Sequence, residues 1–378
     1  MGTVLMGKRV AGLLSVAAAA AVAGVLPAAA GTSAGGSFIG GLHGVSTVAS
    51  TVPANGDVNP YGVAVIPRSR GDLTAGDVLV SNFNNAPTAA APGGGQGRGT
   101  TIVEVSPGGQ QRLFATIPSS SVPGGVGLTT ALVVLRSGWV IVGSLPTADG
   151  TSATTKPGEL FVLDASGHVR EVIRGYGIDG PWDATALDLG SVADLFVSNV
   201  LNGITNGTPA TTSQGDVVRL TLNLAGAEPR VAASTVIADG ISVRTDPAAL
   251  IVGPTGVALS PDGTLFVADA VNSRIARIPD AIFRHRPVNA GASSSTASAD
   301  PHLNSPLGLA LTPRGDLLAA NGGDNNLVEL TQGGKFVAVR DVDTTDPPGG
   351  ALFGLATTAH PAQVYFVNDD TNTLNVLR

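Results

Sequence analysis

A sixteen-residue stretch, PTGVALSPDGTLFVAD at 254–269, recurs along this chain together with the Asn272-Ser273-Arg274-Ile275 that follows it. Turn residues at Ser260-Pro261-Asp262-Gly263 divide two short apolar runs, and a third run opens at Arg274. That is the pattern of a β-hairpin and the start of a third strand. A unit of this size cannot bury its own apolar face and must stack on copies of itself. Leu307–Asn321 (LGLALTPRGDLLAAN) and Thr130–Ser144 (TALVVLRSGWVIVGS) align with 255–269 without gaps. Tyr61–Asn82, Trp182–Asn199 and Phe353–Asn368 align with slightly longer first hairpins. The anchors equivalent to Gly256 are Gly62, Ala131, Asp183, Gly308 and Gly354, so successive anchors lie 69, 52, 73, 52 and 46 residues apart. Six units of four strands predict an all-β chain folded as a six-bladed β-propeller of four-stranded blades.

The strands that complete each unit are visible. Arg274–Ile278 is in register with Asn326–Leu330 and Thr373–Leu377 as a third strand, and Thr101–Val105, Glu159–Leu163 and Val217–Leu220 supply the others. Fourth strands follow a Gly turn, as at Gln110–Ile117 and Lys335–Val339. The last unit ends on its third strand at Arg378, while Gly44–Val52 precedes the first unit as an unassigned strand. We therefore expect this N-terminal strand to close the last blade beside Leu374–Leu377, which removes two open sheet edges.

The repeat, P-x-G-V-A-L-x-P-x-G-x-L-x-V-A-D-x-x-N-x-R-I, resembles the NHL repeat. The match is close in the fourth unit, good in the fifth and degenerate in the rest. The resemblance implies a six-bladed propeller, as the count does independently, and has a more distant similarity to gluconolactonase-like propellers. NHL-type propellers include sensor ectodomains, protein- and nucleic-acid-binding modules, and relatives that are lyases or lactonases, so the fold alone does not choose a chemistry.

The N-terminus carries a different signal. Lys8 and Arg9 precede an apolar run from Val10 to Leu26 and an Ala28-Ala29-Ala30 cleavage pattern, as in a secretory signal peptide. The expected organisation is a leader at 1–30, a flexible mature N-terminus at 31–42 and one propeller at 43–378. The protein is then secreted, whether extracellular, periplasmic or held at the cell envelope. No stable membrane span follows the leader. The Lys-poor, Ala- and Gly-rich composition fits a GC-rich bacterial source. There is no cysteine, so disulfides and thiolate chemistry are not available. Two of the 21 Lys and Arg lie in the leader, so the mature chain carries 19 against 28 Asp and Glu, a net charge of −9. That balance disfavours nucleic acid and anionic membranes as partners; a monomer is expected.

In a propeller, the turns between second and third strands and the blade-to-blade crossings share one face, here called the crossing face. The turns between first and second and between third and fourth strands share the other, the turn face. Nearly all excess length falls on the crossing face: insertions at 83–99, 145–157 and 200–215, a Ser/Ala-rich crossing at 284–305 and an acidic one at 341–351. Long loops on one face of a rigid scaffold commonly carry binding. The residues before the anchors ring the channel mouth on that face: Tyr61, Thr130, Trp182, Thr255, Leu307 and Phe353. In gluconolactonase-like propellers this region supplies Glu, Asn and Asp ligands to a divalent metal. No carboxylate or amide stands at these six positions, with Asp183 and Asn59 only as neighbours, which argues against a metal-dependent lactonase. The aromatic members would floor a pocket for an apolar or ring-bearing ligand, or plug the channel by packing.

Other polar features have plainer readings. Second strands end in Asn82, Ser144, Asn199, Asp269, Asn321 and Asn368, side chains suited to bonding the backbone of the following turn. Asp324, Asp341, Asp343, Asp346, Asp369 and Asp370 gather around blades 5 and 6. They are the place where a divalent cation such as Ca²⁺ would find oxygens, but they lack EF-hand or RTX spacing and read as a solvated acidic patch. His43, His168, His285, His302 and His360 do not converge, apart from a weak pairing of His285 with His302. No cofactor is expected. Gly31-Thr32-Ser33-Ala34-Gly35 matches G-x-S-x-G without its strand-turn-helix context, and the glycines of 93–99 precede a strand, not a helix. The favoured function is a non-enzymatic binding module for a protein, peptide or small ligand on the crossing face. A lyase or lactonase-type enzyme at the central channel and an envelope scaffold are the alternatives.

Overall fold

The computed structural model describes residues 36–378 except 90–94, 119–121, 123 and 345–348. Residues 1–30, expected to be a leader, and the G-x-S-x-G match at 31–35 lie outside the described residues.

Short runs of β-branched and aromatic residues between Gly, Pro, Asn and Asp turns form strands throughout. β1 (Val45–Ser50) comes first in the chain. Blade 1 is β2 (Val58–Val65), β3 (Val78–Asn84), β4 (Thr101–Val105) and β5 (Gln111–Thr116). Blade 2 is β6 (Leu128–Val134), β7 (Val140–Ser144), β8 (Glu159–Leu163) and β9 (Val169–Ile173). Blade 3 is larger: β10 (Pro181–Asp188), β11 (Val192–Asn199), β12 (Thr211–Asn223), β13 (Arg230–Asp246) and β14 (Leu250–Val252). Blade 4 is β15 (Pro254–Leu259), β16 (Leu265–Asp269), β17 (Arg274–Ile278) and β19 (Thr296–Ser298), while β18 (Val288–Asn289) pairs in parallel with β13 of blade 3. Blade 5 is β20 (Pro306–Leu311), β21 (Leu317–Asn321), β22 (Asn326–Leu330) and β23 (Phe336–Asp341). Blade 6 is β24 (Leu352–Ala359), β25 (Ala362–Asn368) and β26 (Thr373–Leu377), closed by β1.

The closure has the expected register. Val45 faces Leu377 and Ser50 faces Thr373, and the N–H groups of His43 and Gly44 both donate to the Arg378 carbonyl. Within the 31–42 segment, residues 37–42 pack against the propeller. The Glu329 carboxylate accepts hydrogen bonds from the backbone N–H groups of Phe38 and Ile39 and from the Ser37 hydroxyl, and Phe38, Ile39 and Leu42 are buried between blades 5 and 6.

Every innermost strand carries a bulge at its anchor, with the ladder register shifting there in all six blades. The bulge brings the anchor against the backbone of the next blade. A Cβ on Gly354 would lie 2.2 Å from the Tyr61 carbonyl oxygen, and one on Gly308 2.3 Å from that of Phe353. Glycine is the residue that permits this approach. Side chains stitch the same seams. Ser81 Oγ donates to the Thr129 carbonyl, Ser198 Oγ to that of Thr255, and Thr255 Oγ1 to that of Pro306.

Two loop assignments change. The 284–305 segment is not a crossing alone, because it holds β18 and also β19, the fourth strand of blade 4. The 200–215 insertion ends in strand: 211–215 pairs with 241–244, so β12 and β13 run past their blade on the crossing face.

Candidate functional site

The six ring residues come together, but into a plug. Tyr61, Thr130, Trp182, Thr255, Leu307 and Phe353 are each at most 6% exposed. The Tyr61 ring stacks on Phe353 at 4.0 Å and on Phe83 at 4.3 Å, with Trp182 tilted against it at 6.1 Å. Two segments join the same apolar cluster: Val200, Leu201 and Ile204 from the insertion of blade 3, and Ala249–Val252 around β14. Of the two roles open to these aromatics, packing is the one the geometry realises, and the crossing-face mouth is closed.

That closure leaves polar groups stranded. Tyr61 Oη, Trp182 Nε1, Thr130 Oγ1 and Asn59 Oδ1 are buried without a hydrogen-bond partner among the described residues, an arrangement that costs about 1–3 kcal/mol for each group left unsatisfied. The Tyr61 phenol is pushed well up by burial and by the charges of Asp369 and Asp246. Asp369, in the turn after β25, is itself pushed up to about 7 by burial and by Asp370.

The channel opens at the other end. A cavity of about 380 Å³ runs from the level of Val63, Leu132, Asp183 and Val257 to the turn-face strand ends at Val134, Asp188 and Thr357. Its side chains are small and aliphatic apart from two threonines, Thr185 and Thr357, and two carboxylates. Asp188, near the open end, accepts the Arg136 backbone N–H at 2.7 Å and lies 3.8 Å from its guanidinium. Asp183 lies at the closed end, and its Oδ2 accepts the Val257 N–H at 3.0 Å across the blade 3–4 seam. Burial raises the Asp183 carboxyl to about 7, opposed only in part by the N–H groups of Val257 and Ala184. In the sequence Asp183 stands only as a neighbour of the ring. The available signal was that it alone among the anchors is neither Gly nor Ala.

The second-strand polar residues serve the backbone and adjoining turns. Asp269 and Asn368 accept N–H groups of the turns that follow, Ser144 accepts the Gly127 N–H, and Asn82, Asn199 and Asn321 donate to the carbonyls of Thr51, Gly177 and His302. Asn199 also holds Asp216, whose carboxyl is pushed up to about 6 by burial. In the acidic patch, Asp324 receives Asn321 and Asp343 receives Asn368, while residue 346 lies outside the described residues. His302 bonds Asp300 at 2.7 Å and stacks on Phe336 at 4.1 Å, a local arrangement that does not involve His285. Among the described residues, no group of three His, Asp or Glu side chains is disposed to hold a metal ion.

Residues 252–278 match the NHL repeat. No curated protein matches the chain. Solved structures share the fold. A gluconolactonase from Xanthomonas campestris superposes with a TM-score of 0.53 at 14% identity, over 88% of each chain. Virginiamycin B lyase from Staphylococcus aureus, solved with quinupristin, gives 0.46 at 14% identity over 89% of this chain and 85% of that one. The calcium-binding protein regucalcin from Agrobacterium tumefaciens gives 0.48 at 13% identity over 87% and 92%. At 14% identity the likeness to the gluconolactonase structure is one of fold alone.

Proposed function

We propose that this NHL-repeat propeller is an exported binding module whose crossing face engages a protein or peptide. The observation behind this reading is the sealed mouth. With the aromatic plug closed under 200–204 and 249–252, the crossing face offers a platform rather than a hole, and an extended surface is the natural counterpart of a platform. The blade 3 ribbon gives it relief: Thr211, Ser213 and Gln214 are exposed where β12 runs past the blade. The 145–157 insertion is ordered too, with Thr147, Asp149, Thr151 and Thr154 in one hydrogen-bond network. Export rests on the leader-like N-terminus. The test is a photo-crosslinking residue at Thr211, and separately at Arg314 on the turn face, in the source organism's envelope. Adducts to a specific protein from position 211 and not 314 are expected. Adducts from 314 alone, or from neither, overturn the reading.

A second reading has one observation in its favour. Asp369 titrates near neutrality beside Tyr61, the condition suited to general acid–base catalysis, and hydrolytic and lyase propellers share the fold. Lactone hydrolysis by the purified protein, with a rate that follows a group near pH 7 and disappears in Asp369→Asn, would favour the enzyme. The absence of turnover on gluconolactone removes the lactonase form of it.

A further inference from the structure

The turn-face funnel plays no part in the crossing-face reading, and its construction is specific. Each of its six walls is the innermost strand of a blade and therefore an edge strand. One side of every wall backbone lacks a ladder partner and presents N–H and C=O groups to the next blade or to the channel. The lining holds no Lys, Arg or His. Of its two carboxylates, Asp188 is matched by Arg136 near the open end. Asp183 faces the closed end with hydrogen bonds from backbone N–H groups and, among the described residues, no counter-charge.

We propose that the closed end of the funnel is a binding site for a small primary aliphatic ammonium ion, with Asp183 as its counter-ion. A carboxylate in an apolar cavity favours a cation over an anion or a neutral ligand, since pairing offsets the cost of burying either charge. Carbonyls of the edge strands accept the remaining ammonium protons, which a quaternary ion does not have. The methyl and methylene groups of Val63, Leu132, Ala184, Val257 and Leu309 take the hydrocarbon. A volume of about 380 Å³ suits a small ligand. Asp183 interrupts an otherwise Gly and Ala anchor ring, so the charge is particular to this position and not a requirement of the repeat.

The probe is n-hexylamine, compared with 1-hexanol and hexanoate by calorimetry and amide chemical-shift mapping on the intact propeller. Hexylamine is expected to bind saturably at pH 8, to shift Val257 and Leu309, and to weaken about tenfold at pH 6 as Asp183 takes up a proton. The other titratable group facing the funnel, Asp188, is matched by Arg136. Hexanol and hexanoate are expected to bind at least about tenfold more weakly at pH 8, the loss of one buried charge pair. Asp183→Asn should abolish the pH dependence and the preference for amine, and Ala310→Phe, which fills the funnel without touching Asp183, should abolish binding. Equal affinity for hexylamine and hexanol at pH 8 overturns the proposal, as does a folded Asp183→Asn that retains the amine. If Asp183→Asn does not fold, the wild-type pH profile decides: a flat amine affinity between pH 6 and 8 overturns the site, and a drop toward pH 6 that is missing for hexanol supports it.

Discussion

Arg274 shows why the most legible residues of the repeat are structural. Its guanidinium donates to Asp269 at 2.8 Å and to the carbonyl of Ala290 and the hydroxyl of Thr296, with both charged side chains almost wholly buried. The D-x-x-N-x-R spacing thus ties the end of β16 to the chain segment that returns toward β19. Arg274→Met is expected to destabilise the fold by about 3–5 kcal/mol, because Asp269 is left as an uncompensated buried charge. Replacing both partners with apolar residues should cost less than the single change, a comparison that urea unfolding of the two variants measures. Asp183, Asp216 and Asp369 act in the opposite sense. Their carboxyls are raised in the folded protein, so the folded state binds more protons than the unfolded one. Stability is then greatest near the unfolded carboxyl value, falls as pH rises toward about 7, and levels off above it. The lowered Asp149 and Asp164 matter only at more acid pH. A melting temperature lower at pH 8 than at pH 5 by ~3 °C or more is expected, with a shallower slope in Asp183→Asn; a temperature that rises over this window contradicts it. At this scale the sequence revealed the ring residues by alignment but not their fate. Whether Tyr61 and Trp182 floor a pocket or fill one depends on Leu201, Ile204 and Leu250, which the repeat does not contain.

Among the elements, β1 was legible because its absence could be counted: five complete blades and one lacking a strand leave one place for 44–52. Its removal exposes the edge of β26 and frees the Arg378 carbonyl and amide from Gly44 and His43. Deleting residues 43–52 is expected to cost on the order of 5 kcal/mol, comparable to the whole stability of many domains. Hydrogen exchange should then report lost protection in every blade, whereas loss confined to blade 6 would mean that closure is local. Several elements were not legible, the short β14 and β18 among them. β19 is three residues, Thr296–Ser298, too short for any periodicity to register. The outer parts of β12 and β13 are rich in Thr, Ser and Gly, a composition shared with loops, and their pairing depends on a ribbon register that only the folded partner supplies.

For the whole molecule, the six-fold ring leaves one degree of freedom that local patterns do not control: which end of the axis is open. Here the aromatic stack closes the crossing face, and the small and aliphatic side chains of the innermost strands leave the turn-face end hollow. Because the chain contains no cysteine, this asymmetry can be measured against a clean background. Thr185→Cys lies in the funnel and Thr130→Cys in the plug, and both exchanges nearly conserve volume. Under native conditions a small maleimide is predicted to label position 185 at least about a hundredfold faster than position 130, which would react only through opening of the structure. Equal rates, or faster labelling at 130, would contradict the account of a channel sealed on the crossing face.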